Sequence, residues 1–380
     1  MALRRRSAPY FGGGLWPQDE LRWRARNREW RTSCRGCSWH NDRAQTCRVS
    51  AVPTPPNHFS PRYTDEARDD ALFHYTTARG LLGIFTTGQL WSTAHYCAND
   101  ESELAAGKDV LGPLFRSYTH DLIKKGDSRV VTFARRGVDP REYGDTFEQR
   151  VVSMALSLLG VFITCFCRAT GAEDFQHGLL SQWRGYALDG GYALQFSRKK
   201  LLAAIEDTRG TSGQNYDLMD VHYGPDNPLK ADVLQHSDAF IQAYSAHLDE
   251  LAKPLDFNAK TMRSPLAGLP GGPLEALLNY LAHTKNVHFR EERECRLSLV
   301  QSADGKVEGS LPVSYFERGG IPVPYTQTPN ASFKVLDCIE WIVVGPAPRL
   351  DVRFKAVQQL VRQSNANISV RPSHIPFTRL

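Results

Sequence analysis

Three short stretches of this 380-residue chain carry side chains that could act together on a sugar-linked ligand. Phe73-His74-Tyr75-Thr76 lies in an apolar run that reads as a strand, so His74 and Thr76, two positions apart, point to one face. An imidazole and a hydroxyl side by side can each donate and accept hydrogen bonds, which matches the vicinal hydroxyls of a ribose. Far along the chain, Glu292-Arg293-Glu294-Cys295-Arg296 repeats the alternation and would set two carboxylates and a guanidinium on one strand face. Breaking an N-glycosidic bond builds positive charge on the sugar, and a nearby carboxylate stabilises that charge while gripping a hydroxyl. Arg296 would keep one carboxylate ionised or hold a phosphate. Between these stretches, Trp183 and Tyr186 stand at helical i, i+3 spacing, able to form one aromatic wall for a planar ring and equally able to pack in a core. Each stretch taken alone is more often structural: a strand histidine satisfied by backbone, a solvated strand of alternating charge, an aromatic core pair.

The elements that must position these groups begin at Ala71. Residues 72–75 read as a short strand, 77–86 as a helix with Leu81, Leu82, Ile84 and Phe85 apolar and Gly88 closing it, and 90–93 as a second strand. Residues 161–166 are strongly β-prone, and 192–196 form a strand after the Gly190-Gly191 turn. Helices are expected over 199–206, 231–252 and 274–283, with Leu234, Ala239, Ile241 and Leu248 along one side of the middle one. Strands over 296–300, 338–344 and 368–371 and an amphipathic helix over 352–362 complete the pattern. Strands and helices alternate irregularly and no repeat is present, which points to an α+β fold of mixed sheets with flanking helices rather than a doubly wound parallel sheet.

The first 57 residues differ from the rest. They hold eleven arginines, no lysine and four acidic residues, a balance of +7 that leaves −2 for the remainder of a chain whose formal charge is +5. Pro53, Pro55 and Pro56 read as a linker. Residues 1–57 are therefore expected to be a basic, disordered extension and 58–380 a single α+β domain, with any nucleic-acid affinity of this kind confined to the extension. Cys34, Cys37, His40 and Cys47, spaced C-x2-C-x2-H-x6-C, supply four ligands suited to tetrahedral zinc, although the spacing is tighter than in common fingers. The longest uncharged run, 151–167, is shorter than the roughly 20 residues of a membrane helix, and glycines, a proline and an aspartate follow the N-terminal arginines where an export signal would be apolar. A cytoplasmic protein with no membrane association is the expectation. Phosphate-binding P-loops, H-E-x-x-H helices and G-x-S-x-G elbows are absent from the sequence, so those enzyme classes are not supported.

The order F-H-Y-T, L-W-S at Leu90-Trp91-Ser92, N-D-E at Asn99-Asp100-Glu101, C-F at Cys165-Phe166, W-x-x-Y-A from Trp183, G-x-A-L-x-F from Gly191, E-x-E-x-R from Glu292, I-x-x-I-V-x-G-P from Ile339 and S-x-I-P at Ser373 to Pro376 resembles the bacterial family of domain of unknown function 2971. That family's opening block is in turn similar to the start of ADP-ribosyltransferases. The resemblance implies an ADP-ribosyltransferase-like core using NAD as substrate. His74, Tyr75 and Thr76 would hold the NAD ribose, and Trp91 or Ser92 would sit on the second site strand; no residue is assigned to the tyrosine that stacks on nicotinamide in one branch of those enzymes, so Trp183 and Tyr186 stay the candidates their spacing makes them. Glu294 would be the catalytic carboxylate, Glu292 would orient or activate a protein or nucleic-acid acceptor, and Arg296 would support the pair. The alternative is a catalytically silent nucleotide- or protein-binding module in a defence or toxin-like context. No second-strand S-T-S motif is present, and the gap from His74 to Glu294 is longer than in compact members.

Overall fold

A computed structural model describes residues 63–98, 110–186 apart from 136 and 138, 190–253 apart from 213 and 215, 266, 269–328 and 334–376. The chain divides into two units, Met1–Asn57 and His58–Leu380, and every described residue belongs to the second. The cluster of Cys34, Cys37, His40 and Cys47 and the Asn99-Asp100-Glu101 segment lie outside the described residues.

In chain order the first elements are α1 (Asp65–Asp70), β1 (Ala71–Thr76), α2 (Ala78–Thr87), β2 (Leu90–Ala94), α3 (Gly112–Lys124), α4 (Ser128–Arg135), α5 (Pro140–Leu158) and β3 (Leu159–Cys167). Then come α6 (Ala172–His177), α7 (Leu180–Tyr186), β4 (Tyr192–Ser197), α8 (Arg198–Ser212), β5 (Tyr216–Asp220), β6 (His222–Tyr223), α9 (Leu229–Gln235), α10 (Ser237–Ala252), α11 (Gly271–Ala282) and β7 (Thr284–Lys285). The chain closes with β8 (Glu294–Ser302), β9 (Ser314–Arg318), β10 (Ile321–Thr328), β11 (Ile339–Val344), α12 (Leu350–Ser364) and β12 (Ser369–Pro372). The fold is α+β: a mixed ten-stranded sheet with flanking helices, plus a small parallel pair formed by β6 and β7. Within the large sheet only β11 and β12 run parallel.

β3 organises the sheet because its runs of branched and aromatic residues are buried on both faces. One edge pairs with β8 along the whole strand, from Leu159 opposite Ser302 to Cys167 opposite Glu294, and β5 follows β8. The other edge is shared. Phe73 of β1 sits opposite Cys167 at one end, while Thr93 and Ala94 of β2 sit opposite Ile163 and Phe162 near the middle. From β1 the sheet continues through β4 and β11 to β12, and from β2 through β10 to β9. The two branches thus leave β3 at separate points, and the stretch around Cys165 between them has neither as a ladder partner. α2 links the branches: Thr77 caps its first turn by accepting from Gly80 N–H at 3.2 Å, and Gly88 ends it in the left-handed conformation at φ 68°.

Three apolar clusters hold the layers. One lies among β1, β4, β5, β8 and β11 under α2, α8 and α12. A second joins α3 to α5 and α9 to α11 to Val161 and Ile163 of β3. The third gathers Phe73, Tyr75, Phe175, Trp183 and Val343. The single helix expected over 231–252 is two, broken at His236 (φ −96°, ψ 14°). The break turns the second helix so that Phe240, Ala243, Tyr244, His247 and Leu248 are buried, whereas Leu234, expected on the buried side, is exposed.

Candidate functional site

A cleft of about 390 Å³ opens where β1 and β2 part from β3, within the range of small-molecule sites. Its lining brings together His74, Tyr75, Thr76, Trp91, Tyr186, Glu292 and Glu294, from segments that are far apart in the chain. Alternation along β1 turns the half-buried His74 and Thr76 to the cleft. The Tyr75 ring goes to the opposite side, packing edge-on against Trp183 at 4.7 Å, with its hydroxyl accepting from Leu179 N–H at 2.7 Å.

His74 Nδ1 donates to Cys165 O at 3.0 Å, a carbonyl that has no strand neighbour on that side. Burial lowers its pKa against the opposing pull of that carbonyl, so the ring is neutral and Nε2 is left as an acceptor. Thr76 lies against α2 so closely that a Cβ at Gly80 would fall 2.0 Å from Thr76 Oγ1. Trp91 is stacked on Tyr325 (4.4 Å, 27°) and tilted against Phe316 (5.5 Å), giving the cleft an aromatic end. Arg79, at the start of α2, and Arg318 stand on the rim, and Arg79 has no ion-pair partner among the described residues.

The acidic end is assembled differently from the sequence expectation. Glu292 ends a 3-10 turn over Val287–Glu292, Arg293 takes the left-handed conformation (φ 43°), and β8 begins only at Glu294. The two carboxylates therefore do not meet by strand alternation. Lys285 of β7 draws them together, its Nζ 2.7 Å from Glu292 Oε2 and 3.0 Å from Glu294 Oε2. Arg296 grips Glu294 with two further bonds, Nε to Oε1 at 2.8 Å and Nη2 to Oε2 at 3.0 Å, and donates from Nη1 to Ala282 O at 2.6 Å. The Cys165 thiol donates to Glu294 as well, and Tyr223 Oη accepts Glu294 N–H at 2.8 Å. Burial alone would raise the pKa of Glu294, yet Arg296 and then Lys285 outweigh it and hold the carboxyl at about 2. Burial alone would lower Lys285, and Glu294 with Glu292 raises it instead. Glu292 is the more open carboxylate, its side chain 20% exposed against 5% for Glu294.

Three expected residues stand outside the cleft lining. Ser92 is buried, its hydroxyl 2.7 Å from that of Thr164, because alternation along β2 sends Trp91 and Thr93 to the cleft instead. Trp183 is a core residue whose indole N–H donates to His177 O at 2.9 Å. Gln182 and Tyr186, at i, i+4, share the cleft face of α7, and Trp183 at i, i+3 from Tyr186 is rotated off it. Arg296 is buried behind Glu294 and reaches the cleft only through that carboxylate. Burial raises the Tyr186 phenol, with Cys165, Glu292 and Glu294 adding to the rise, so its hydroxyl is a donor throughout the neutral range.

Sequence reading did not single out Lys285, Gln182, Arg79, Phe316 or Arg318. Gln182 was within reach of it through the four-residue spacing to Tyr186; the others come from tertiary pairing. Among the described residues no group of three or more His, Cys, Asp or Glu side chains could hold a metal ion, and no helix is long and apolar enough to cross a membrane.

Against known families, residues 182–297 match the family described as "Protein of unknown function (DUF2971)". No curated protein and no solved structure matches the chain. The matched segment contains the cleft residues Gln182, Tyr186, Glu292 and Glu294 and, behind them, Lys285 and Arg296, while His74, Thr76 and Trp91 precede it.

Proposed function

We propose, for a chain whose residues 182–297 match the DUF2971 family, that the cleft binds NAD and transfers its ADP-ribose to an acceptor, in the manner of an ADP-ribosyltransferase-like core. The observation that carries this reading is the convergence of His74, Thr76, Glu292 and Glu294 on one cleft. The residues suit the ligand. His74 Nε2 and the Thr76 hydroxyl can pair with ribose hydroxyls, Arg79 and Arg318 suit a diphosphate, and Tyr186 and Trp91 offer faces to planar rings.

NAD supplies an N-glycosidic bond whose electron pair leaves with a neutral nicotinamide. The carboxylate of Glu294, kept ionised by Arg296 and Lys285, opposes the positive charge that develops on the sugar. Glu292, tied to Lys285 through Oε2 only, directs its other oxygen to accept the proton of the incoming acceptor. Labelled NAD incubated with the purified chain and cell lysate is expected to give transferred label and free nicotinamide. Glu294→Gln should lower the rate by about 10²-fold or more while leaving the fold intact. No label transferred by the unaltered chain would overturn the reading.

One observation favours a second reading, a site that binds a nucleotide or protein without turnover: Arg296 and Lys285 together engage both oxygens of Glu294 and leave it little uncompensated charge. Saturable NAD binding with no nicotinamide release would select it.

A further inference from the structure

Among the described residues β9 is an outer strand of the large sheet, bonded on one side only, to β10. Its register fixes which main-chain groups face outward. Pro322 and Pro324 stand opposite Glu317 and Tyr315, and proline has no N–H to give. The hydrogen-bonded pairs are therefore Ile321 with Arg318, Val323 with Phe316 and Tyr325 with Ser314. Antiparallel alternation then turns the N–H and C=O of both Tyr315 and Glu317 away from β10. The two-residue turn Gly319-Gly320, at φ 60° and 82°, closes the Arg318–Ile321 pair in the same phase.

The chain guards the opposite edge of β10, beyond the end of β2, with those two prolines. β9 itself contains neither proline nor lysine and pairs without a bulge, so its outward N–H groups all remain available, although Glu317 and Arg318 place charge along the strand. Phe316, Glu317 and Arg318 also line the cleft, which makes this bare edge the outer rim of the site. Around it Tyr315 is 67% exposed, Tyr96 65% and Ile321 60%, side chains better suited to flanking a second extended chain than to water. Among the described residues the strand sets Glu317 beside Arg318, a mixed charge rather than the uniformly basic surface a phosphate backbone requires.

We infer that the outer edge of β9 docks an extended peptide segment of a protein acceptor by strand addition, with Tyr315 and Glu317 exchanging main-chain hydrogen bonds with it. The inference rests on the transfer reading for the word acceptor, and it is tested without NAD, so the two fail separately.

Short random peptides displayed on phage are selected against the full chain, and a selected peptide is titrated by fluorescence anisotropy. Tyr315→Pro removes one outward N–H and leaves the β9–β10 bonds in place, while Tyr315→Ala retains that N–H. Affinity is expected to fall about tenfold or more with Tyr315→Pro, and likewise with N-methylation at alternate peptide positions, but only a few-fold with Tyr315→Ala. If circular dichroism shows Tyr315→Pro unfolded, Glu317→Pro and the N-methylated series give the same comparison. The inference is overturned by failure to select any peptide, by unchanged binding to folded Tyr315→Pro, or by displacement of the peptide with single-stranded oligonucleotide. A dimer in light scattering that Tyr315→Pro converts to monomer would also overturn it, by assigning the edge to a second copy of the chain.

Discussion

Glu294 is ionised in a place where a lone carboxyl would be neutral, and the cations that keep it so are themselves almost fully buried. Arg296 and Lys285 are thus parts of one charge set with Glu292 and Glu294, and removing any member leaves a buried charge without compensation. The consequence is readable as pH dependence. The folded value of about 2 lies below the ordinary 4.5, so the stabilisation is fully present above about pH 4.5 and is lost as the pH falls toward 2. The unfolding free energy of the unaltered chain, measured by urea titration, should decline over that window by an amount on the order of 3 kcal/mol more than that of Glu294→Gln. Parallel decline of the two proteins would show that Glu294 is not held as the geometry requires. The sequence displayed Glu292, Glu294 and Arg296 but not the reason they act together, because Lys285 reaches them from β7 and the Arg293 turn replaces the regular strand on which the alternation was expected.

The elements make the cleft by separating. β1 and β2 take separate stretches of one edge of β3, and α2 closes the gap with its glycine side against Thr76. Gly80→Ala places a methyl group on the Thr76 hydroxyl, which can rotate away. The variant is expected to melt within about 1 kcal/mol of the unaltered chain yet to bind NAD about tenfold more weakly, as measured by calorimetry. Equal affinity would remove Thr76 from the site. Other recognisable sequence blocks turn out to serve packing. A Cβ at Gly345 would meet Gly191 O at 2.7 Å and the Trp183 ring at 2.8 Å, which explains the glycine of I-x-x-I-V-x-G-P. Ser373 of S-x-I-P joins Trp183 in donating to His177 O, and Arg371 lies over the Trp341 ring while donating to Phe175 O and Gln176 O at the end of α6. These blocks brace the wall behind the cleft and contribute no residue to its lining.

Across the whole molecule, the described residues form one α+β unit within His58–Leu380, with its own cores and its own cleft. A chain of residues 58–380 is accordingly expected to fold cooperatively, with a melting midpoint within a few degrees of the full chain and the same NAD affinity; loss of either would make residues 1–57 part of the folded site. Amino-acid order alone determined β1, α2, β2 and β3 beside the site, though not β9 and β10, together with the pairing of His74 with Thr76 on one face and the α+β class, since each depends on local periodicity and on turn residues such as Gly88 and Gly190. Tertiary structure alone decided which of the candidate groups meet. It sent Ser92 and Trp183 into the core, recruited Lys285 and Phe316, and left the edge of β9 bare. Periodicity fixes the face a side chain occupies on its own element, but which faces are brought together depends on sheet order and on where β3 is shared, and these are set by contacts between segments far apart in the chain.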